Sequence, residues 1–98
     1  MAKTILQDEF FECRCYLCGS FKWLEEHHIF GGNGKRKLSE KYGLKVYLCH
    51  DHHNEPPHGV HHNSETRQHL QRVAQQKAME YYNWTEDEFR QIFGKNYL

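Results

Sequence analysis

The sequence has no apolar run long enough to span a membrane and no apolar leader at its start. That pattern predicts a cytoplasmic, intracellular protein with no membrane partner. It also lacks net charge: 13 Lys and Arg balance 13 Asp and Glu, so no global basic field advertises a nucleic-acid partner. No glycine-rich phosphate cradle and no Ser-His-Asp order is present, which leaves nucleotide-binding loops and serine hydrolases without a motif. Neither an internal repeat nor a linker marks a second domain, so residues 1–98 read as one. Hydrophobic residues are scarce at 38%, and aromatics, at 14%, must supply much of the core. So short a chain buries a modest share of its surface and commonly leans on a metal, a disulfide or a partner.

What the chain does have is cysteine and histidine in tight groups. Cys13, Cys15 and Cys18 fall within six residues, and Cys49 stands alone beside histidines. In a reducing compartment a Cys-x-x-Cys pair binds zinc more often than it forms a disulfide. Cys15-x-x-Cys18 and Cys49-x-x-His52 are two half-sites of one shape, and together they complete the four-ligand tetrahedral shell of structural zinc. Thiolate and imidazole favour zinc over magnesium or calcium. His50 and His53 are alternatives for the fourth ligand, and Cys13 for Cys15. A closed shell of this kind stabilises a fold and leaves no open position for chemistry.

Between and after these half-sites the elements follow in order. Residues 1–12 suggest a short strand or helix. "FKWLEEHHIF" suits a strand, "GGNGKRK" a loop, "LSEKYG" a helical turn and "LKVYLC" a second strand. Pro56-Pro57 breaks whatever follows it. From residue 63 the period becomes helical: Asn63 or Ser64 caps a helix whose Leu70, Val73, Ala74, Ala78 and Tyr81 share a face. Thr85 and Glu88 form a capping box for a last helix, Trp84 and Phe89 its hydrophobic staple, and Gly94 its end. The tyrosines and Trp84 of this part are most simply core.

His27-His28 and His53 remain once zinc takes Cys49 and His52. The ordered set "CYLCG", "HHIF" and "LCHDHHN" resembles the HNH endonucleases, the zinc-bearing branch of the ββα-metal nucleases, over roughly residues 13–63. The run "RKLSEKYGLKVYLCHDHHNEPPHGVH" is similar to phage recombination nucleases of the Ref group, and "FGKNYL" to the ending of small phage HNH proteins. The resemblance implies an α+β fold: a small zinc-stapled ββα-metal domain with additional C-terminal helices over about 64–98. It implies a metal-dependent DNA endonuclease in which His28 is the general base. His27 and His53, with His61 from "GVH", would hold a catalytic divalent cation (Mg2+, Mn2+ or Zn2+). It also implies DNA as partner and, through the phage likeness, a packaging or recombination protein. The pattern departs from the family at one point: Leu44 stands where the middle asparagine is expected, so another group, such as a backbone carbonyl, must orient His28. Asn33 and Asn54 lack the right spacing.

Elementary chemistry agrees with those roles. Phosphodiester hydrolysis needs a base for water and a cation for the charge that builds on oxygen. Histidine titrates nearest neutrality. Neighbours on a strand point to opposite faces, so His27 and His28 share a site only where the strand ends, and Gly31-Gly32 place such an end just beyond. Lys35, Arg36 and Lys37 are candidates for gripping phosphates flanking a cut, though a solvated charge run is an equal reading. Glu25 and Glu26 are more simply surface groups than supports for an imidazole, and His50, His58 and His62 read as surface or supporting residues. The competing class is a non-catalytic zinc module that binds nucleic acid or protein.

Overall fold

The computed structural model describes residues 4–7, 13–32, 34–57 and 59–98. Asn33, His58 and most of the 1–12 segment lie outside that set. Thr4–Gln7 is in neither helix nor strand. The segment is tied down instead: Thr4 Oγ1 donates to Lys45 O, Ile5 N donates to Gly43 O (3.0 Å), and Gln7 Oε1 accepts from Tyr47 N (2.6 Å).

The architecture is a small α+β unit built on a two-stranded antiparallel sheet, β1 Leu24–His28 with β2 Lys45–Cys49. Strand β1 begins three residues later than "FKWLEEHHIF" suggests, because Trp23 turns out of the extended region (φ 49°). There its carbonyl accepts from His50 N at 3.1 Å. The register pairs His27 with Val46 and His28 with Lys45. Directly paired residues share a face, so Glu25 and His27 lie with Val46 and Leu48, and Glu26 and His28 with Tyr47 and Lys45.

Helix α1 (Lys35–Tyr42) connects the strands. The basic run Lys35-Arg36-Lys37, expected in a loop, forms its first turn. Gly34 at the N-cap adopts φ 78°, a conformation open to glycine, and so lets the helix start directly after the glycines. Ser39, fully buried, then ties the helix to the strand end: its Oγ donates to Phe30 O (2.8 Å) and accepts from Phe30 N (3.0 Å).

Helix α2 (His50–Asn54) is a single short piece following Cys49. Helices α3 (Ser64–Tyr82) and α4 (Glu86–Phe93) start where the caps predict: Asn63 Oδ1 accepts from Thr66 N, and the Thr85–Glu88 capping box is complete. Gly94 ends α4 at φ 82°. The core is one cluster in which Phe30 meets Phe89, Phe93 and Tyr97 at ring distances of 5.6, 4.9 and 4.8 Å. The end of β1 is thus anchored on the C-terminal helices. Tyr81, expected on the apolar face of α3, is 63% exposed, whereas Leu70, Ala74 and Ala78 face inward. No helix among the described residues is long and apolar enough to cross a membrane.

Candidate metal centres

The two half-sites meet. Cys15, Cys18, Cys49 and His52 bring one ligand atom each to within 4.8 Å of one another, a group that can hold a metal ion such as zinc. Cys18 Sγ lies 3.7 Å from Cys49 Sγ, and Cys49 Sγ lies 3.2 Å from His52 Nδ1. Tetrahedral zinc with 2.3 Å bonds to sulfur requires S···S of about 3.8 Å. The knuckle forms because Gly19, at φ 78°, closes a turn in which its N–H reaches Cys15 O and Cys15 N–H reaches Ser20 O, both at 2.8 Å. Burial alone would raise the Cys15 pKa. Backbone N–H groups of Cys49, Cys18 and Leu17 outweigh burial and lower it. Burial pushes the Cys49 thiol up to about 11, so a bound cation is what would hold this sulfur as thiolate. Cys13 stands outside the group.

A second group gathers His27, His53 and His61, again within 4.8 Å. His53 Nε2 and His61 Nε2 are 3.0 Å apart, and the His27 ring lies 5.2 Å from each of the other two. Two nitrogens on one tetrahedral ion at 2.0–2.1 Å stand about 3.3 Å apart. His27 Nε2 is buried without a hydrogen-bond partner, the state of a nitrogen that faces an ion. Burial drives the His27 pKa down to about 3, with the nearby His53 and His61 adding to it, so this imidazole is a neutral donor of its lone pair. His61 is lowered in the same way by desolvation and by His53.

Glu25 fixes the tautomer of this centre. Its Oε1 accepts from His53 Nδ1–H at 2.8 Å and from Asn54 Nδ2 at 2.9 Å, which leaves His53 Nε2 bare toward its partners. Its other oxygen accepts from His50 Nδ1 at 3.1 Å, while His50 Nε2 donates to Glu55 at 2.8 Å. These bonds lower the Glu25 pKa, His53 first, and raise that of His50, Glu25 first. Glu25 therefore supports an imidazole and is not simply a surface group. Asn54 is spent on Glu25 and does not reach His28.

The position of His61 depends on a close backbone fold-back. Val60 N donates to His52 O at 2.8 Å and Gly59 N to Glu55 O at 2.7 Å. A Cβ on Gly59 would sit 2.8 Å from both the nitrogen and the oxygen of Glu55. Gly59→Ala is therefore expected to push residues 59–61 off α2 and to weaken metal binding at the histidine centre. The expected loss is about 10–100-fold, the range for losing support around a ligand, with the cysteine centre still filled. Titration of the purified variant with Zn2+ or Mn2+ checks this; an unchanged affinity at both centres would show that the fold-back does not place His61.

His28 ends β1 and points to the opposite face. Its Nε2–H donates to Glu40 Oε1 at 2.9 Å, with Glu26 Oε1 3.4 Å away, and Arg36 Nε approaches its Nδ1 at 3.5 Å. Glu26, His28 and Glu40 also form a compact ligand group. The Lys45 ammonium already fills the cationic place there, 3.2 Å from Glu26 Oε2 and 2.9 Å from Glu40 Oε2. Burial works against a charged Lys45, which is only 1% exposed, but Glu40 and Glu26 outweigh it and raise its pKa. Glu40 is lowered in turn, by His28 first and then Lys45. Although the two neighbours project to opposite faces, His27 and His28 both line one open cavity of about 240 Å³ at the strand end, together with Arg36, His53 and His61.

Lys35, Arg36 and Lys37 thus part company. Lys35 Nζ donates to Tyr97 OH at 3.3 Å, Arg36 faces His28, and Lys37 borders the adjoining hollow beside Glu40. Sequence reasoning missed Glu40 and Lys45 altogether, since neither has a motif: Lys45 meets His28 through strand register and Glu40 through the packing of α1 beside β1. Comparison of the chain with protein-family profiles, with curated proteins and with solved structures finds no match to any of them.

Proposed function

We propose that the chain is a metal-dependent endonuclease that hydrolyses DNA phosphodiester bonds, organised as a zinc-stapled ββα-metal domain of the HNH kind. One observation carries the reading: an imidazole held by a carboxylate and a centre of three imidazoles open onto the same cavity. The closed Cys15/Cys18/Cys49/His52 group is separate and keeps no position for a substrate. A divalent ion on His27, His53 and His61 would neutralise charge on the phosphoryl and departing oxygens.

The chain's own residues do the rest. Glu40 accepts a hydrogen bond from His28 Nε2–H, so the lone pair is on Nδ1. Arg36 Nε donates to it over a long 3.5 Å, and water would take that place to give up its proton. Arg36, beside that nitrogen, is placed to bind the phosphate being cut, and its planar fork suits two phosphate oxygens at once. His27 is too weakly basic to compete for the proton. That asymmetry supports His27 as ligand and His28 as base. The link to a phage packaging or recombination partner rests on the sequence resemblance.

The test is nicking of supercoiled plasmid with Mg2+, Mn2+ or Zn2+, alongside metal analysis of the purified protein. The expected result is open-circular product and two ions per chain. One ion per chain and no nicking with any of the three metals would leave the zinc module without catalysis as the correct reading.

A further inference from the structure

The chain is neutral overall, yet its positive groups are not evenly spread. On the first half of α3, Arg67, Gln68, Gln71 and Arg72 share one face, and with Lys95 and Tyr97 they line an open groove of about 240 Å³ that no carboxylate lines. None of these residues belongs to either metal centre.

The groove is held in shape from below. Gln75, fully buried one turn further along α3, donates from Nε2 to Asn96 Oδ1 at 2.7 Å, and its Oε1 accepts from Tyr97 N at 2.7 Å. These bonds clamp the segment after α4 against α3 and hold Lys95 opposite Arg72. Asn96, which also lines the groove, donates one amide N–H to Glu86 at 3.1 Å, a further tie between this segment and α4. Arg67 is fixed by its bond to Val60 O at 3.2 Å. From there its charge is felt by both His27 and His61.

At the other end, the Tyr97 ring lies 5.2 Å from Lys95 Nζ and 6.0 Å from Lys35 Nζ, and Lys35 adjoins Arg36 on α1. The cations therefore run as a track from the cavity with His28 across Tyr97 to the groove. Arg67 and Arg72 are about 7.5 Å apart along the helix axis, a span of about two phosphates of one DNA strand at a rise of about 3.4 Å each along the DNA axis. Exposed Arg72 and Lys95, half-buried Arg67 and the amide donors, with no acid among the described lining residues, are the chemistry that grips phosphate oxygens.

We infer that this groove is a second anchorage for the phosphodiester backbone of DNA, outside the metal centres, and that it holds the duplex beside the cut. The identity of its ligand rests on the nuclease reading; the groove itself does not.

Arg72 and Lys95 are both exposed, so Arg72→Gln/Lys95→Gln should fold, which a thermal melt verifies. Binding of a fluorescein-labelled 16-base-pair duplex is followed by anisotropy from 50 to 200 mM salt, in a His28→Ala background that prevents cutting. The slope of log K against log salt should become shallower by about 1.8, at about 0.9 per lost phosphate contact. The charge-keeping Arg72→Lys/Lys95→Arg should restore most of it. An unchanged slope in the glutamine variant overturns the anchorage even if the protein cuts DNA. A groove-dependent slope in a protein whose wild type nicks nothing keeps the anchorage and overturns the nuclease reading.

Discussion

Cys15→Ser is expected to abolish the cooperative thermal transition, while His28→Ala melts only about 4–8 °C below wild type. The first half follows from scale. A structural zinc contributes on the order of 10–16 kcal/mol of apparent binding free energy in small domains, and a domain's whole net stability is about 5–15 kcal/mol. The ligands Cys15 and Cys49 are themselves members of the core cluster, so the knuckle, β2 and α2 lose their common tie together. The second half follows from what His28→Ala leaves in place. Glu40 and Glu26 keep Lys45, and near the cavity rim one short hydrogen bond disappears, to Glu40 at 2.9 Å, with two long contacts, to Glu26 at 3.4 Å and Arg36 at 3.5 Å. One such bond is about 1 kcal/mol, or about 4–8 °C in a domain of this length. Circular dichroism melts with metal analysis decide the matter. Equal destabilisation by both changes would make His28 a structural residue, and a Cys15→Ser protein that keeps its metal and its melting point would remove the cysteine centre from the folding argument.

The second large effect is on rate. His28→Ala should lower plasmid nicking by about 10²–10⁴-fold, the usual contribution of a positioned general base, with both ions still bound. His27→Ala should also lose the activity, but by emptying the three-imidazole centre, so it shows one ion per chain where His28→Ala shows two. The paired readout separates ligand from base, which rate alone does not. If His28→Ala cuts at the wild-type rate while His27→Ala is inactive, the base is another group and the roles of the two neighbours need redrawing. Loss of an ion in His28→Ala would instead make it a ligand.

How far these features were legible depends on the distance over which each is specified. Caps are written within four residues, and Asn63, Thr85 and Glu88 sit in the structure as their spacing suggests. The cysteine half-sites are equally local, each an i, i+3 pair whose ligands a single turn brings together. The start of α1 was hidden because a helix seldom begins on a glycine with positive φ and three cations. Turn chemistry argued for a loop there, and the Ser39–Phe30 bonds won. The support of His28 was hidden for a different reason. Glu40 and Lys45 are 12 and 17 positions away in sequence; the pairing of His28 with Lys45 across the sheet and the lie of α1 beside β1 bring them together. Glu25 was visible as a candidate, but its preference for His53 over solvent depends on where α2 lies against β1.

Helix α2 has a bearing on which changes of chain length the protein can accept. Cys49 and His52 serve one centre and His53, the very next residue, serves the other, so both are registered on five helical residues. An inserted or deleted residue between Cys49 and His53 rotates everything after it by about 100° and misaligns the second centre in the same stroke as the first. The turn after Asn54 is constrained too, since Gly59 lies against the Glu55 backbone. Among the described residues near the site, the glycine-bearing stretch between β1 and α1 is the less crowded place: a Cβ on Gly31 would meet nothing within 4 Å, while Gly32 and Gly34, at φ 85° and 78°, stay glycine. A library that grafts new recognition loops onto this scaffold should be built there.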